Sequence, residues 1–465
     1  MTLGHSPYPT GKSTSDGLTT GGFTSGELTS GEFDAASVRG LFTSLSDGWT
    51  YFNANQAPQV PERVISAVSR AFRSSFSLLD ADVPTGSHSA PRRAGRLEAE
   101  TLVASARTAV ADLLGGSAEC VVLGPSLPVL YASLSRAMQP LLRQGSSMVL
   151  SRLDAPILTT ALASGAPVSG SGGLAASAGT GIQGGTTSTN SAVRWAQPDL
   201  GTGELPAYQY DELVDGSTRL VAFSAGNDTL GTVAPFEEIV DKVRERSRAW
   251  TLIDVTSYAA YRVVDLETFD ADILAVDLER LGGPQISALV FRDVAMFQRL
   301  DALVPGFVGP EATKLETPVS SGLAGAVSPL IDHIAGIVES QGSRRQRLVT
   351  SMFATGDYLE DLGDDLYAFM STLPTVHIIG ITGESAAEAG DDRLPALTFA
   401  VRGVPAETVH QRLFDNGLVA TIAPDTPLLQ DMGIDELGGG VTVSLSAFNT
   451  SADVDHLIRV VASLA

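Results

Sequence analysis

The chain has 465 residues, 43% of them hydrophobic and 18% charged, enough for two or three domains around a sizeable core. Its formal net charge of −23 argues against nucleic acid and anionic membrane surfaces, which need basic patches, and no apolar run reaches the length of a membrane-spanning helix. The opening "MTLGHSPYPTGKSTSDG" has no apolar h-region, so a soluble, cytoplasmic protein is expected.

Residues 1–45 are rich in Ser, Thr and Gly and contain a short repeat, "LTTGG", "FTSGE", "LTSGE". Such composition predicts a disordered tail, although the interspersed Leu and Phe offer docking points. From Tyr51 the texture changes. "VPERVISAVSRAFRSSF" and "LEAETLVASARTAVADLLG" carry apolar residues at helical spacing, the second ended by Gly115. Strands and helices then alternate: strand "CVVLG", helix "LPVLYASLSRAMQPLLRQG", strand "SMVLS", helix "APILTTALASG". The Gly/Ser/Ala/Thr-rich stretch 169–192 reads as a flexible insertion. After it come strand "RLVAFS", helix "FEEIVDKVRERSRA", strands "WTLID" and "ILAVD", a Gly-Gly-Pro turn and the strand Ser287–Phe291. This alternation predicts an α/β domain over 46–325, with a mostly parallel sheet covered by helices on both faces.

From 326 to 465 the texture is α+β and predicts a smaller C-terminal domain. "SPLIDHIAGIVES" and "RLVTSMFATGDYLEDLGDDLYAFMS" are helical; "VHIIGIT", "ALTFAVRG", "LVATIA" and "VTVSLS" are short strands. "SADVDHLIRVVASLA" closes the chain as an amphipathic helix with Thr450 or Ser451 as its cap.

Several motif-like features carry no chemistry. "GSGGLA" in the insertion and "TGKS" beside Lys12 match nucleotide loops in letters, but neither has the strand–turn–helix frame that such loops need. The six histidines are not clustered at ligand spacing, and no metal site is expected. Cys120 is the one cysteine; it is expected to be a small core residue on a strand, and no disulfide can form within the chain. Lysine occurs only at positions 12, 242 and 314.

In open parallel sheets ligands bind beyond the carboxyl ends of the strands. Those ends carry Ser126 and Pro128; Arg152, Asp154 and Ala155; Asn227 and Asp228; Asp254, Thr256 and Ser257; and Glu279 and Arg280. At this point the order of segments resembles the class V aminotransferases, pyridoxal-phosphate (PLP) enzymes of fold type I, and within them the cysteine desulfurase-like branch. The resemblance runs from about Tyr51 to Ala465, leaving out the insertion. It rests on "QVPERVISAV", "LSRAM", "SRLDAP", "LGTVAPFEEI", "GGP" and "AFNTSADVDHL" in that order. It implies a fold type I PLP-transferase-like large domain with a seven-stranded sheet, a small C-terminal domain, PLP as cofactor, and a homodimer or a heterodimer with a relative.

That chemistry needs a lysine amine for the cofactor imine, an aspartate on the pyridine nitrogen, a flat side chain on the ring and an arginine for the substrate carboxylate. Carried over position by position, the resemblance puts the pyridine partner at Asp254. It puts the imine lysine at Arg280, whose guanidinium stays protonated and offers no free amine. The stacking histidine falls on Ala155 and a second histidine on Ser257. The phosphate-loop positions fall on Ser126 and Pro128, and Pro128 lacks the backbone N–H that would grip phosphate. The asparagine beside the cofactor oxygen falls on Asp228, with Asn227 adjacent. The partner-subunit phosphate threonine falls on Val319 and the carboxylate-binding arginine on Thr442. Arg393, in "DRLPALTF", matches a family arginine. The desulfurase reaction also needs a loop cysteine that this chain does not have.

Three readings follow. In the first the chain is a homologue without imine chemistry, acting as a binding or partner protein. In the second it is a PLP-dependent aminotransferase or lyase with an unorthodox site, with Asp254 as its support and Lys242 or Lys314 as the covalent residue. In the third the cleft serves another ligand through Arg280, Arg152, Asp154, Asp228 and Asp254. Arg280 is expected to pair with Glu279 or Asp254.

Overall fold

A computed structural model describes residues 33–79, 95–166, 193–380 and 392–464. Its centre is a seven-stranded sheet of β1 Val121–Gly124, β2 Ser147–Ser151, β3 Val193–Ala196, β4 Thr218–Ser224, β5 Trp250–Asp254, β6 Ile273–Asp277 and β7 Ser287–Phe291. Across the sheet the order is β1-β7-β6-β5-β4-β2-β3. All pairs are parallel except the two made by β7, which runs against β6 and β1. β1, β2, β5 and β7 are buried along their whole length. Strands covered on both faces read as continuous apolar runs, which is why these were visible in the sequence. Alternate side chains feed two cores. Val149, Val221, Ile253 and Leu274 pack under the helices Glu62–Ser74 and Glu98–Leu114; Met148, Leu150, Leu220 and Leu252 pack under the helix Leu127–Ala137.

The smaller sheet contains β8 Val376–Ile379, β9 Ala396–Val401, β10 Thr421–Ile422 and β11 Val441–Ser444 in the order β8-β9-β11-β10, all antiparallel. Its core joins Phe399, Val441 and Val443 to Leu359, Val409 and Leu457 from three helices, Arg344–Thr372, Ala406–Asp415 and Ser451–Ala462. Thr450 caps the last of these through a reciprocal bond with Asp453.

Several expectations are corrected. The tail predicted for 1–45 is folded from residue 33: Asp34 caps the helix Ala35–Arg39, and Val38 and Leu45 are buried against Phe448. Of the apolar residues in that stretch, Phe33, Val38, Phe42 and Leu45 pack together with Phe448 of the small domain, where Thr50–Tyr51 also pairs in parallel with Leu418–Val419. Residues 1–32, including Lys12, and the insertion 169–192 lie outside the described residues. Cys120 ends a 3-10 turn just before β1 rather than lying on the strand, and it is buried. The helix starting at Leu127 stops at Ala137, before Pro140, whose ring disfavours helix in the residue ahead of it. β3 and the helix Ala406–Asp415 were not read from the sequence at all.

The domain boundary also shifts. Helix Val327–Ile334, assigned to the small domain by sequence, packs on the large one through Val327, Leu330 and Ile331. The change of core falls within the unbroken helix Arg344–Thr372. Leu348 and Met352 belong to the large-domain core and Leu359, Leu362 and Leu366 to the small-domain core. Among the described residues no helix is long and apolar enough to cross a membrane.

Candidate functional site

The strand ends meet the small domain at an open cleft. β6 ends at Asp277, whose Oδ1 accepts the Glu279 N–H and the Ser287 hydroxyl, each at 3.2 Å. These bonds set the single 3-10 turn Glu279–Leu281 that carries Arg280 into the cleft. Two glycines follow because no side chain fits: a Cβ on Gly283 would come within 2.6 Å of the Leu278 carbonyl oxygen, and Gly282 has a φ of 78°.

Beyond β4 the chain folds into a tight turn. The Thr229 and Leu230 N–H groups both donate to Asn227 Oδ1 at 3.0 Å, and Gly231 N–H donates to the Asn227 carbonyl at 2.8 Å. The turn holds Asp228 against Arg280, and Arg280 Nη2 donates to Asp228 Oδ2 at 2.7 Å. Arg280 therefore pairs with neither expected partner. Glu279 points to solvent, and Asp254 is occupied elsewhere.

Asp254 ends β5 and is 7% exposed. Its Oδ1 accepts the Thr256 N–H at 2.9 Å, and its Oδ2 accepts the Tyr131 hydroxyl at 3.3 Å. Burial raises its pKa above the ordinary carboxylate range. Asp154 lies beside it, lining the same narrow space with Tyr131 and Ser224. Burial pushes Asp154 up to about 7, with the neighbouring Asp254 charge adding to the rise, while the Ser224 N–H donating to its Oδ1 at 3.1 Å works the other way. The sequence therefore contained two separate groups where one cluster was expected: Arg280 with Asp228, and Asp154 with Asp254 and Tyr131. Arg152 joins neither; it is exposed and lies 3.8 Å from the Trp195 ring centroid, on the unforeseen strand β3.

The remaining positions are dispersed. Ser257 lines the cleft. Ala155 is exposed, and Ser126 precedes the helix Leu127–Ala137 without its hydroxyl capping it. Pro128 sits in that helix's first turn, and Val319 packs on the large-domain core. Thr442 is fully buried and shares a 2.6 Å hydrogen bond with Thr398. The Arg393 guanidinium lies 3.9 Å from the Tyr367 ring centroid, on the long helix two turns past the cleft-lining Leu359. Lys242 Nζ is 2.7 Å from Asp211 Oδ2, and Lys314 pairs with Glu311; neither lines the cleft.

Sequence reasoning missed six other polar side chains of the cleft, Asn55, Gln59, Tyr261, His333, Thr355 and Ser446. Asn55 donates its N–H to the Ser444 hydroxyl at 2.8 Å. Burial pushes His333 down to about 4, so it is neutral at pH 7, edge-on to Phe42. Thr355 is 8% exposed, and its Oγ1 has no hydrogen-bond partner among the described residues. Helical spacing from Ser126 could have pointed to Tyr131; nothing in a periodic pattern singles out Thr355.

The family model for aminotransferase class-V matches residues 186–457. An uncharacterized protein of Mycobacterium tuberculosis is 34% identical over 439 residues, covering 93% of this chain and 99% of that one. A cysteine desulfurase of Haloferax volcanii is 28% identical over 280 residues, 58% of this chain and 61% of that protein. In structure the chain resembles the apo cysteine desulfurase of Thermococcus onnurineus, with a TM-score of 0.70 at 15% identity over 92% of this chain and 97% of that one. That likeness shows the fold.

Proposed function

The chain belongs to the class-V aminotransferase family, and we propose that it is a member without the PLP imine, using its inter-domain cleft to bind a small molecule as a binding or partner protein. The observation that carries this reading is the Arg280–Asp228 ion pair at 2.7 Å where an amine is required. A guanidinium cannot give up a proton to become a nucleophile. The residues around it do not fit a covalently held PLP either. The two described lysines are tied to carboxylates away from the cleft, Ala155 offers no ring, and the Tyr131 hydroxyl already sits on the Asp254 oxygen opposite Thr256. Pairing with a second copy, or with a relative, is part of the proposal. The exposed Ile65, Phe72 and Phe76, along and just past one helix, are the apolar surface that supports it.

Asp254 favours a second reading, a PLP-dependent aminotransferase or lyase with an unorthodox site, because a buried carboxylate at this strand end is what the pyridine nitrogen needs. One experiment separates the two. Purified protein is mixed with PLP, its visible spectrum recorded, and the mixture reduced with borohydride before peptide mass mapping. We expect no imine band and no adduct at Lys242 or Lys314; an imine band with an adduct mapped to either of these lysines would establish the second reading instead.

A further inference from the structure

We propose that the cleft binds a monocarboxylate with an apolar body, its carboxylate held by Arg280. The inference rests on the reading above, since it requires a guanidinium rather than an amine to meet the ligand. Arginine has five N–H donors in a rigid fork suited to a carboxylate, and among the described residues Asp228 Oδ2 takes one of them. The rest of the fork is unspent on a side chain that lines the cleft and is one-third exposed.

The charge of the ligand follows from what lines the cleft. Among the described residues that line the cleft, Arg280 is the only cation and Asp228 the only carboxylate; Arg63, whose charge is felt at His333, donates its Nη1–H to the Asp332 carbonyl. His333 is neutral at pH 7. One further negative charge can share the guanidinium with Asp228. A second would find Arg280 already shared between Asp228 and the first, and would be repelled by Asp228. A ligand ammonium seeking Asp228 would have to lie beside the Arg280 guanidinium already paired with it, and the repulsion between the two like charges disfavours that placement.

The shape of the ligand follows from the other wall. Phe42, Ile334, Met352, Leu359 and Phe448 present an apolar surface to the same space. An apolar group entering there leaves water at about 25 cal/mol per Å². The Thr355 hydroxyl is the independent sign that a polar atom belongs in this cleft. It is buried on the helix that forms the floor between the two cores, and it has no partner among the described residues. Unpaired buried hydroxyls are disfavoured, and a ligand oxygen would satisfy this one.

The test is isothermal titration calorimetry on the full chain without PLP, using 3-phenylpropionate and, as the charge-reversed analogue, phenethylamine. The proposal expects 3-phenylpropionate to bind and phenethylamine not to. Arg280→Gln should weaken binding by about 10- to 100-fold and Thr355→Val by about 2- to 10-fold. Absence of heat from 3-phenylpropionate up to its solubility limit, equal binding of phenethylamine, or an Arg280→Gln affinity equal to the parent's would overturn it. If Arg280→Gln does not fold, Thr355→Val decides alone, and an unchanged affinity rejects the site. The readout is heat in the absence of PLP. The imine test reads absorbance in its presence, so either reading can fail without the other.

Discussion

Thr398 and Thr442 face each other across β9 and β11 with their hydroxyls 2.6 Å apart, and the Thr398 hydroxyl also reaches the Thr229 carbonyl at 2.6 Å. Since Thr398 spends its only hydroxyl proton on Thr229, Thr442 must be the donor within the pair. The chain of bonds ties the small sheet to the turn that holds Asp228. The position that the family resemblance reserves for a carboxylate-binding arginine thus fastens one domain to the other.

Breaking that chain should be felt as stability. Thr398→Val leaves the Thr229 carbonyl and the Thr442 hydroxyl unpaired, and should cost about 1–3 kcal/mol in a urea melt. Thr442→Val removes the donor alone and should cost less. Thr442→Arg, which restores the family residue, would place a charge at a fully buried position and should prevent folding rather than recover substrate binding.

Restoring the amine should not restore the imine. In Arg280→Lys the new ammonium would inherit Asp228 as its partner at the end of the same turn, while Ala155, Pro128 and the Tyr131–Asp254 contact stay as they are. PLP added to this variant should give no visible imine band. A band that survives dialysis and reduces to an adduct at position 280 would show that the single substitution was the whole loss.

The pH dependence of stability contains two opposed contributions. Asp154 is raised from 3.8 to about 7, so between those values the folded state binds a proton that the unfolded state does not, and stability falls as pH rises. His333 is lowered from 6.5 to about 4, so between those values the unfolded state binds the extra proton, and stability rises with pH. The two oppose each other below pH 6.5. Asp154→Asn can keep the acceptor for the Ser224 N–H and removes the first contribution. Relative to the parent it should gain stability steadily from about pH 4 to 7, to at most roughly 4 kcal/mol, and then level off. Denaturant melts across this range check the sign; a gain that appears only below pH 4 would contradict the assignment.

Cys120 should be silent. Burial pushes its thiol up to about 11, with Glu119 and Asp293 adding to the rise, so almost no thiolate exists at pH 8. A chromogenic disulfide reagent should label it only after denaturant is added. The protein should release no sulfur from cysteine, with or without PLP, as measured by sulfide formation.

What the sequence made legible follows the physics of each feature. The strands buried on both faces are continuous apolar runs, and all of them were readable. β3 was not, because it is only four residues long, Arg194 interrupts its apolar run, and it begins directly after the Gly/Ser-rich stretch. Asp254 and Arg280 could be placed by resemblance, since strand ends occur in a fixed order. The partner of Arg280 could not, because Asp228 lies 52 residues away and is delivered by a turn whose geometry depends on Asn227. The domain boundary was misplaced because apolar periodicity reports that a helix is buried, but not against which of two cores.

The helix Arg344–Thr372 also acts as a ruler. Met352 packs in one core and Leu359 in the other, seven residues on, which at the helical rise is a separation of roughly 10 Å. The gap between the two cores is therefore written into the covalent chain rather than left to a flexible joint. Adding one residue between those positions would lengthen the spacer by about 1.5 Å and swing everything after it through about 100°. The walls of this cleft keep the distance that one unbroken helix dictates.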